Sequence, residues 1–181
     1  MKLLLLALII IIAVGLYSES TIGQFIKVRD SGAIEYNFAH AIMSADSVAY
    51  TPTVAKNVYT KLVPGSACHE ADYITCQGDT LTILTGFDGD YRIDISIRLS
   101  GANVNDAWRI KIYKNSLPQP TSVGRFVFRT TSAGEPDTRY FFWYLDDLVA
   151  GDDISFYITN LTASRNPTIT DFKVYAEQKP E

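Results

Sequence analysis

The sequence predicts an all-β fold, an antiparallel jelly-roll β-sandwich. Three observations carry this. In 86–101 (GFDGDYRIDISIRLSG), Tyr91, Ile93, Ile95, Ile97 and Leu99 alternate with Arg92, Asp94, Ser96, Arg98 and Ser100. Side chains of a strand point alternately to opposite faces, so this period of two means one buried and one wet face. Second, about eight short segments of this kind recur along the chain, separated by Gly, Pro, Asn and Asp turns, the spacing of a sandwich. Third, no stretch after residue 17 has a helical period, and aromatic residues reach 12%, with eleven Tyr and nine Phe, as strands favour.

The elements follow in order. Met1-Lys2 precede an apolar run, 3–16 (LLLLALIIIIAVGL), which predicts an N-terminal hydrophobic helix over 1–17. Fourteen helical residues span about 21 Å against a hydrocarbon core of about 30 Å. A basic start, a short apolar run and the small residues of Ala13-Val14-Gly15 or Ser18-Glu19-Ser20 fit a secretory signal. A retained membrane anchor, seated through Leu3, Leu6, Ile9 and Ile12, is the other reading. No cysteine follows the run, which excludes a lipoprotein anchor.

Residues 18–56 read as a neck with short extended pieces, 24–28 (QFIKV) among them, followed by an Asp30-Ser31-Gly32 turn. From 57 to 176 the pattern is regular. Strands are predicted at 57–63, 80–85, 91–99, 107–113, 124–130, 139–145, 154–159 and 168–176, with 68–76 as a loop. The tail 177–181 is polar and reads as loose.

Composition bounds the function. The 181 residues suit one domain plus an appendage, and 47% hydrophobic residues suffice for a core. The net charge is −4 with no basic run, so no nucleic-acid footprint is present. Cys68 and Cys76, spaced C-x7-C with no Cys/His cluster beside them, read as a disulfide closing a small loop rather than a metal site. Such a bond implies an oxidising setting.

Chemistry is sparse. The chain has two His, His40 in the neck and His69 in the cysteine loop, and no Ser-His-Asp order, P-loop or dinucleotide motif. His69, Glu70 and Asp72 read as solvated loop residues. Asp146-Asp147 and Asp152-Asp153 flank a turn, where Asp caps backbone N–H groups. A calcium ion between loops is the competing reading of those carboxylates. Asn160-Leu161-Thr162 is a glycosylation sequon, of consequence only in a host that uses it. No cofactor is expected, and no enzymatic role.

Segment 139–145 (RYFFWYL) is apolar on both faces, which predicts a partner beyond the sandwich. Tyr140, Phe141, Phe142, Trp143 and Tyr144 are therefore candidates for an oligomer interface, where aromatic residues concentrate.

The order GDYRIDISIRLSG, WRIKIYKN, R-x-F-x-R, an aromatic strand, L-x-x-GDDISFYITN and TITDFKVYA resembles the C1q and tumour necrosis factor-like jelly-roll domains. It is most similar to the versions found in phage and other virion surface proteins. Gly151-Asp152 matches the family's GD turn, whereas Asn115 is followed by Ser116 where the family has Gly. The resemblance covers 57–176 and rests on structural motifs. It implies a homotrimer of sandwiches about a three-fold axis. The function it implies is a non-enzymatic virion or extracellular structural protein: a trimeric spike, fibre head or decoration at a virion surface, contacting a host receptor or glycan, with other virion or envelope proteins and a membrane as further partners. The alternative is a cellular secreted or membrane-anchored ligand or adhesin of the same fold.

Overall fold

The computed structural model describes residues 26–28, 34–36, 38–119 and 125–180. Among them the chain forms β1 (Ile26–Val28), β2 (Ile34–Tyr36), β3 (His40–Tyr50), β4 (Thr60–Lys61), β5 (Ala67–Asp72), β6 (Ile74–Gln77) and β7 (Thr80–Ile83). They continue as β8 (Gly89–Ser100), β9 (Ala107–Lys114), β10 (Leu117–Pro118), β11 (Arg125–Arg129), β12 (Asp137–Leu148), β13 (Asp153–Asn160) and β14 (Thr168–Gln178). The predicted N-terminal helix, with Leu3, Leu6, Ile9 and Ile12, lies outside the described residues. No helix among the described residues is long and apolar enough to cross a membrane.

The alternation read in β8 is realised. Tyr91, Ile93, Ile95, Ile97 and Leu99 are buried, while Arg92 and Arg98 on the opposite face are exposed. Strand β8 is flanked by β12 and β14, and the first sheet runs β12-β8-β14-β3-β5, antiparallel throughout. The second sheet runs β10-β9-β13-β7-β6, with β11 also on β9 and β4 on β13. Apolar residues of both inner faces fill the space between the sheets, with Trp108, Tyr91, Phe156 and Phe172 the largest fully buried side chains. Their polar atoms are satisfied: Tyr91 Oη donates to the Phe87 carbonyl at 2.6 Å, and Trp108 Nε1 donates to Thr130 Oγ1 at 2.9 Å.

Four parts of the chain depart from the sequence reading; one is the tail read as loose, since β14 runs on to Gln178, which is buried and whose N–H donates to the Ala39 carbonyl at 2.8 Å. The sandwich unit begins at Ala39, not at 57. Strand β3 comes from the stretch read as a neck, and it pairs with both β14 and β5. Its inward side chains, Ala41, Met43 and Ala45, are mostly small, so its period of two carries little hydrophobic signal. The preceding unit, ending at Phe38, contains the antiparallel pair β1–β2, with Ile26 opposite Tyr36.

The segment 68–76, read as a loop, lies almost wholly in two strands. The chain passes from β5 in the first sheet to β6 in the second through Tyr73, which has a φ of 61°. Every residue of β5 is exposed, so no alternation could mark it. Strand β4 is shorter than the predicted 57–63, since only Thr60 and Lys61 pair with β13.

Candidate functional site

Among the described residues, strand β12 forms the edge of the first sheet and pairs with β8 alone. Alternation splits its aromatic run. Trp143 and Leu145 belong to the core, and Phe141 packs against that core, stacked on Phe126 with ring centroids 4.6 Å apart. Tyr140, Phe142 and Tyr144 point the other way and are 76%, 55% and 42% exposed. The candidate interface set is thus corrected: Phe141 and Trp143 face inward, because adjacent residues of a strand cannot share a face.

The register sets what lies beside the three outward aromatics. Tyr140, Phe142 and Tyr144 stand opposite Ser96, Asp94 and Arg92 of β8, which stand opposite Lys173, Tyr175 and Glu177 of β14. Phe142 and Tyr144 meet edge to face at 5.7 Å. The Arg92 guanidinium lies 5.1 Å from the Phe142 ring, and Lys179 Nζ lies 4.8 Å from the Tyr144 ring. Arg92 also donates to Asp94 Oδ1 from Nε and Nη2, at 3.1 and 2.9 Å. Between these groups lies an open depression of about 360 Å³, floored by Ser96 and walled by Tyr140, Phe142 and Tyr175. Burial raises the Tyr175 hydroxyl above its ordinary pKa, and the nearby Glu177 adds to this, so it stays a neutral donor. The face is an aromatic ridge beside a charged, hydrogen-bonding floor.

The Cys68–Cys76 disulfide is formed, with its Cα atoms 5.6 Å apart. It ties β5, at one edge of the first sheet, to β6, at the edge of the second. The bond closes the sandwich where no side chain of β5 is buried.

The two His do meet partners. His40 Nε2 lies 3.0 Å from Glu70 Oε1 and 3.9 Å from Asp72 Oδ2. His69 Nε2 lies 2.6 Å from Ser44 Oγ, which donates to Asp46 Oδ2 at 2.9 Å. Sequence reading missed this cluster because it falls across β3 and β5, both hidden in supposed neck and loop. It is not a nucleophilic dyad. A serine hydroxyl has one proton, here directed at Asp46, so the imidazole N–H donates to Ser44. In a catalytic triad the carboxylate holds the imidazole instead, and the nucleophile is open to substrate; Ser44 is buried. No group of three or more His, Cys, Asp or Glu arranged to hold a metal occurs among the described residues.

Of the paired Asp residues, Asp152 caps a turn N–H, and Asp88 and Asp90 of the facing turn do the same. Asp88 Oδ1 accepts from the Ala150 N–H at 2.7 Å, and Asp90 Oδ1 from the Asp147 N–H at 3.1 Å. Asp152 accepts from the Val149 N–H, from Asn115 Nδ2 and from Lys114 Nζ. Burial alone would raise this carboxyl, but the Lys114, Val149 and Asn115 bonds outweigh it and hold the pKa below its ordinary value. Asp153 accepts from the Thr82 hydroxyl at 2.5 Å. Asn160 of the sequon is fully buried, and its Oδ1 accepts from the N–H groups of Thr162 and Ala163. A glycan has no access to it.

No family model matches the sequence, and no curated protein matches it. Solved structures do. Murine APRIL at pH 5.0 superposes with a TM-score of 0.51 at 13% identity, over 77% of this chain and 99% of that one. The described domain has the same jelly-roll β-sandwich fold as that structure. A second structure of murine APRIL, at pH 8.5, gives 0.50 at 13% identity over the same shares. PRD1 vertex protein P5 gives 0.49 at 14% identity, over 79% of this chain and 97% of that one. At such identities the likeness extends to the fold alone.

Proposed function

We propose that the protein is a non-enzymatic, self-associating structural protein displayed on a virion or in another extracellular assembly, and that three sandwiches pack through the outer face of the first sheet. The observation that carries this is the row Tyr140, Phe142 and Tyr144, three large side chains exposed on one strand. A contiguous apolar patch of that kind marks an interaction surface. The sequence resemblance to C1q/TNF-like domains supplies the three-fold arrangement, and the cross-sheet disulfide suits an oxidising location. The burial of Ser44 and the capping role of Asp152 support a structural reading of those two polar groups.

Hydroxyl-radical footprinting tests the face directly. Tyr140 and Phe142 are expected to be strongly protected in the assembled protein, while Leu117, 69% exposed on the other sheet, reacts freely. Equal reactivity of all three contradicts the interface. The cellular ligand or adhesin reading shares this fold and this face. Peptide mass spectrometry of purified particles separates the two, and intact mass of the same material reports whether residues 1–17 are kept as an anchor or removed as a signal.

A further inference from the structure

With the first sheet turned into the assembly, the outer face of the second is left for contact. Its charge is not that of the whole chain. Most cations elsewhere have an acid beside them: Arg92 pairs with Asp94, Arg98 with Asp171, Lys114 with Asp152, Arg165 with Asp106 and Lys179 with Asp90. On the outer face of the second sheet, Lys61, Arg109, Lys111 and Arg129 have no carboxylate within ion-pair distance among the described residues, and the one carboxylate described at the end of that face, Asp153, accepts from Thr82.

The ladders place these cations together. Lys61 stands opposite Tyr157, and Tyr157 opposite Lys111, so the three share one row and one face. Arg109 lies two residues along β9 from Lys111 and so projects to the same side. Arg129 of β11 lies one ladder step beyond Phe128 and two beyond Val127, the partner of Arg109. With strands about 4.8 Å apart and same-face residues about 7 Å apart along each, the cations are spread over a strip of sheet rather than gathered at a point. The Arg109 side-chain Nε is buried without a hydrogen-bond partner among the described residues. An orphaned guanidinium donor of that kind is costly until an anionic acceptor arrives.

Aromatic rings complete the strip. Tyr113 and Tyr157 stack with centroids 3.8 Å apart, Tyr59 lies 6.1 Å from Tyr113, and Lys111 Nζ lies 5.8 Å from the Tyr59 ring. Tyrosine supplies an apolar ring face with a hydroxyl at its tip, which suits the C–H face and hydroxyl rim of a sugar. Thr80, whose hydroxyl accepts from Lys61 Nζ at 2.7 Å, lies beside it.

We propose that this face binds an acidic polysaccharide, a sugar chain bearing sulfate or carboxylate groups, with the acid groups on Lys61, Arg109, Lys111 and Arg129 and the sugar rings against the tyrosines. The proposal rests on the reading of the chain as a surface-displayed assembly protein. Nucleic acid fits less well: one negative charge per about 1.7 Å is a much denser line than these spaced cations match.

The test uses the full-length protein with heparin as the sulfated probe, neutral dextran and duplex DNA as comparators, and light scattering in the same buffer. At about 0.1 M NaCl, where surface charges still act over about 10 Å, heparin is expected to bind and dextran not. Lys111→Gln with Arg129→Gln is expected to weaken heparin binding at least ten-fold and to reduce its salt slope by about 1–2. Arg129→Gln alone, at an exposed position, keeps the test valid should the double variant misfold. Arg98→Gln on the first sheet leaves binding unchanged. Absence of heparin binding, an unaltered affinity in the Arg129 variants, or duplex DNA bound as tightly as heparin each overturns the proposal. A monomer that still binds heparin overturns the assembly reading and not this one; a trimer that ignores heparin does the reverse.

Discussion

Substituting Phe142 by Ser probes the assembly through one side chain. Phe142 is 55% exposed on the outer face of β12 and makes no core contact, so the fold survives its loss. An aromatic side chain offers about 200 Å², which leaves about 110 Å² for a partner to cover. At about 25 cal/mol per Å² this is worth about 2.8 kcal/mol per chain. A symmetric trimer loses it three times, about 8 kcal/mol, which is about a 10⁶-fold change in the trimer dissociation constant. The monomer–trimer midpoint moves as the square root of that constant, so it rises by about 10³-fold. The Arg92–ring contact, at 5.1 Å, lies within one chain and so is lost equally from monomer and trimer. The assay is sedimentation velocity across a dilution series, with Leu117→Ser, an exposed position on the second sheet, as the control. A Phe142→Ser midpoint unchanged to within about three-fold, in a variant of normal melting temperature, refutes the reasoning.

Other perturbations probe the scaffold. Replacing Cys68 and Cys76 by Ser opens a loop with a sequence separation of 8, for which chain entropy gives a loss of about 2.5 kcal/mol, read from urea unfolding with and without reductant. Gly101→Ala would set a Cβ 2.5 Å from Thr130 Oγ1 and 3.3 Å from Trp108 Nε1. It forces apart a buried hydrogen bond, at a cost of about 2–4 kcal/mol in the same assay. Asp152 has a folded pKa below 3.8, so its contribution is complete above that value and is lost as pH falls through the folded value. The stability gap between the wild type and Asp152→Asn is therefore expected to be full at pH 6 and to close below about pH 4, as followed by thermal melts.

The sequence makes some parts of this molecule plain. Strands β8, β9 and β13 carry bulky side chains on alternate positions, and Tyr91, Trp108 and Phe156 are where that alternation places them. Strand β14 adds Phe172 and Val174 on the same principle. The hidden strands fail for a physical reason. Strand β3 buries alanines, whose hydrophobic contrast with serine is slight, and β5 buries nothing, being held by its ladder to β3 and by the disulfide. Missing both moved the boundary of the domain and concealed the Ser44–His69 contact, which exists only once those strands pair. The aromatic run of β12 was visible as an excess of apolar side chains, but alternation halves it: Phe141 and Trp143 complete the core, and Tyr140, Phe142 and Tyr144 are the surplus. The cationic face of the second sheet was invisible, because Lys61, Lys111 and Arg129 lie on three separate segments that only the register assembles.

The subunit interface is tested most directly by the native mass. Light scattering on the protein as it leaves gel filtration at micromolar concentration is expected to give three times the 20.1 kDa chain mass. A mass of one chain, from protein whose Cys68–Cys76 bond is intact, contradicts an interface on the outer face of the first sheet.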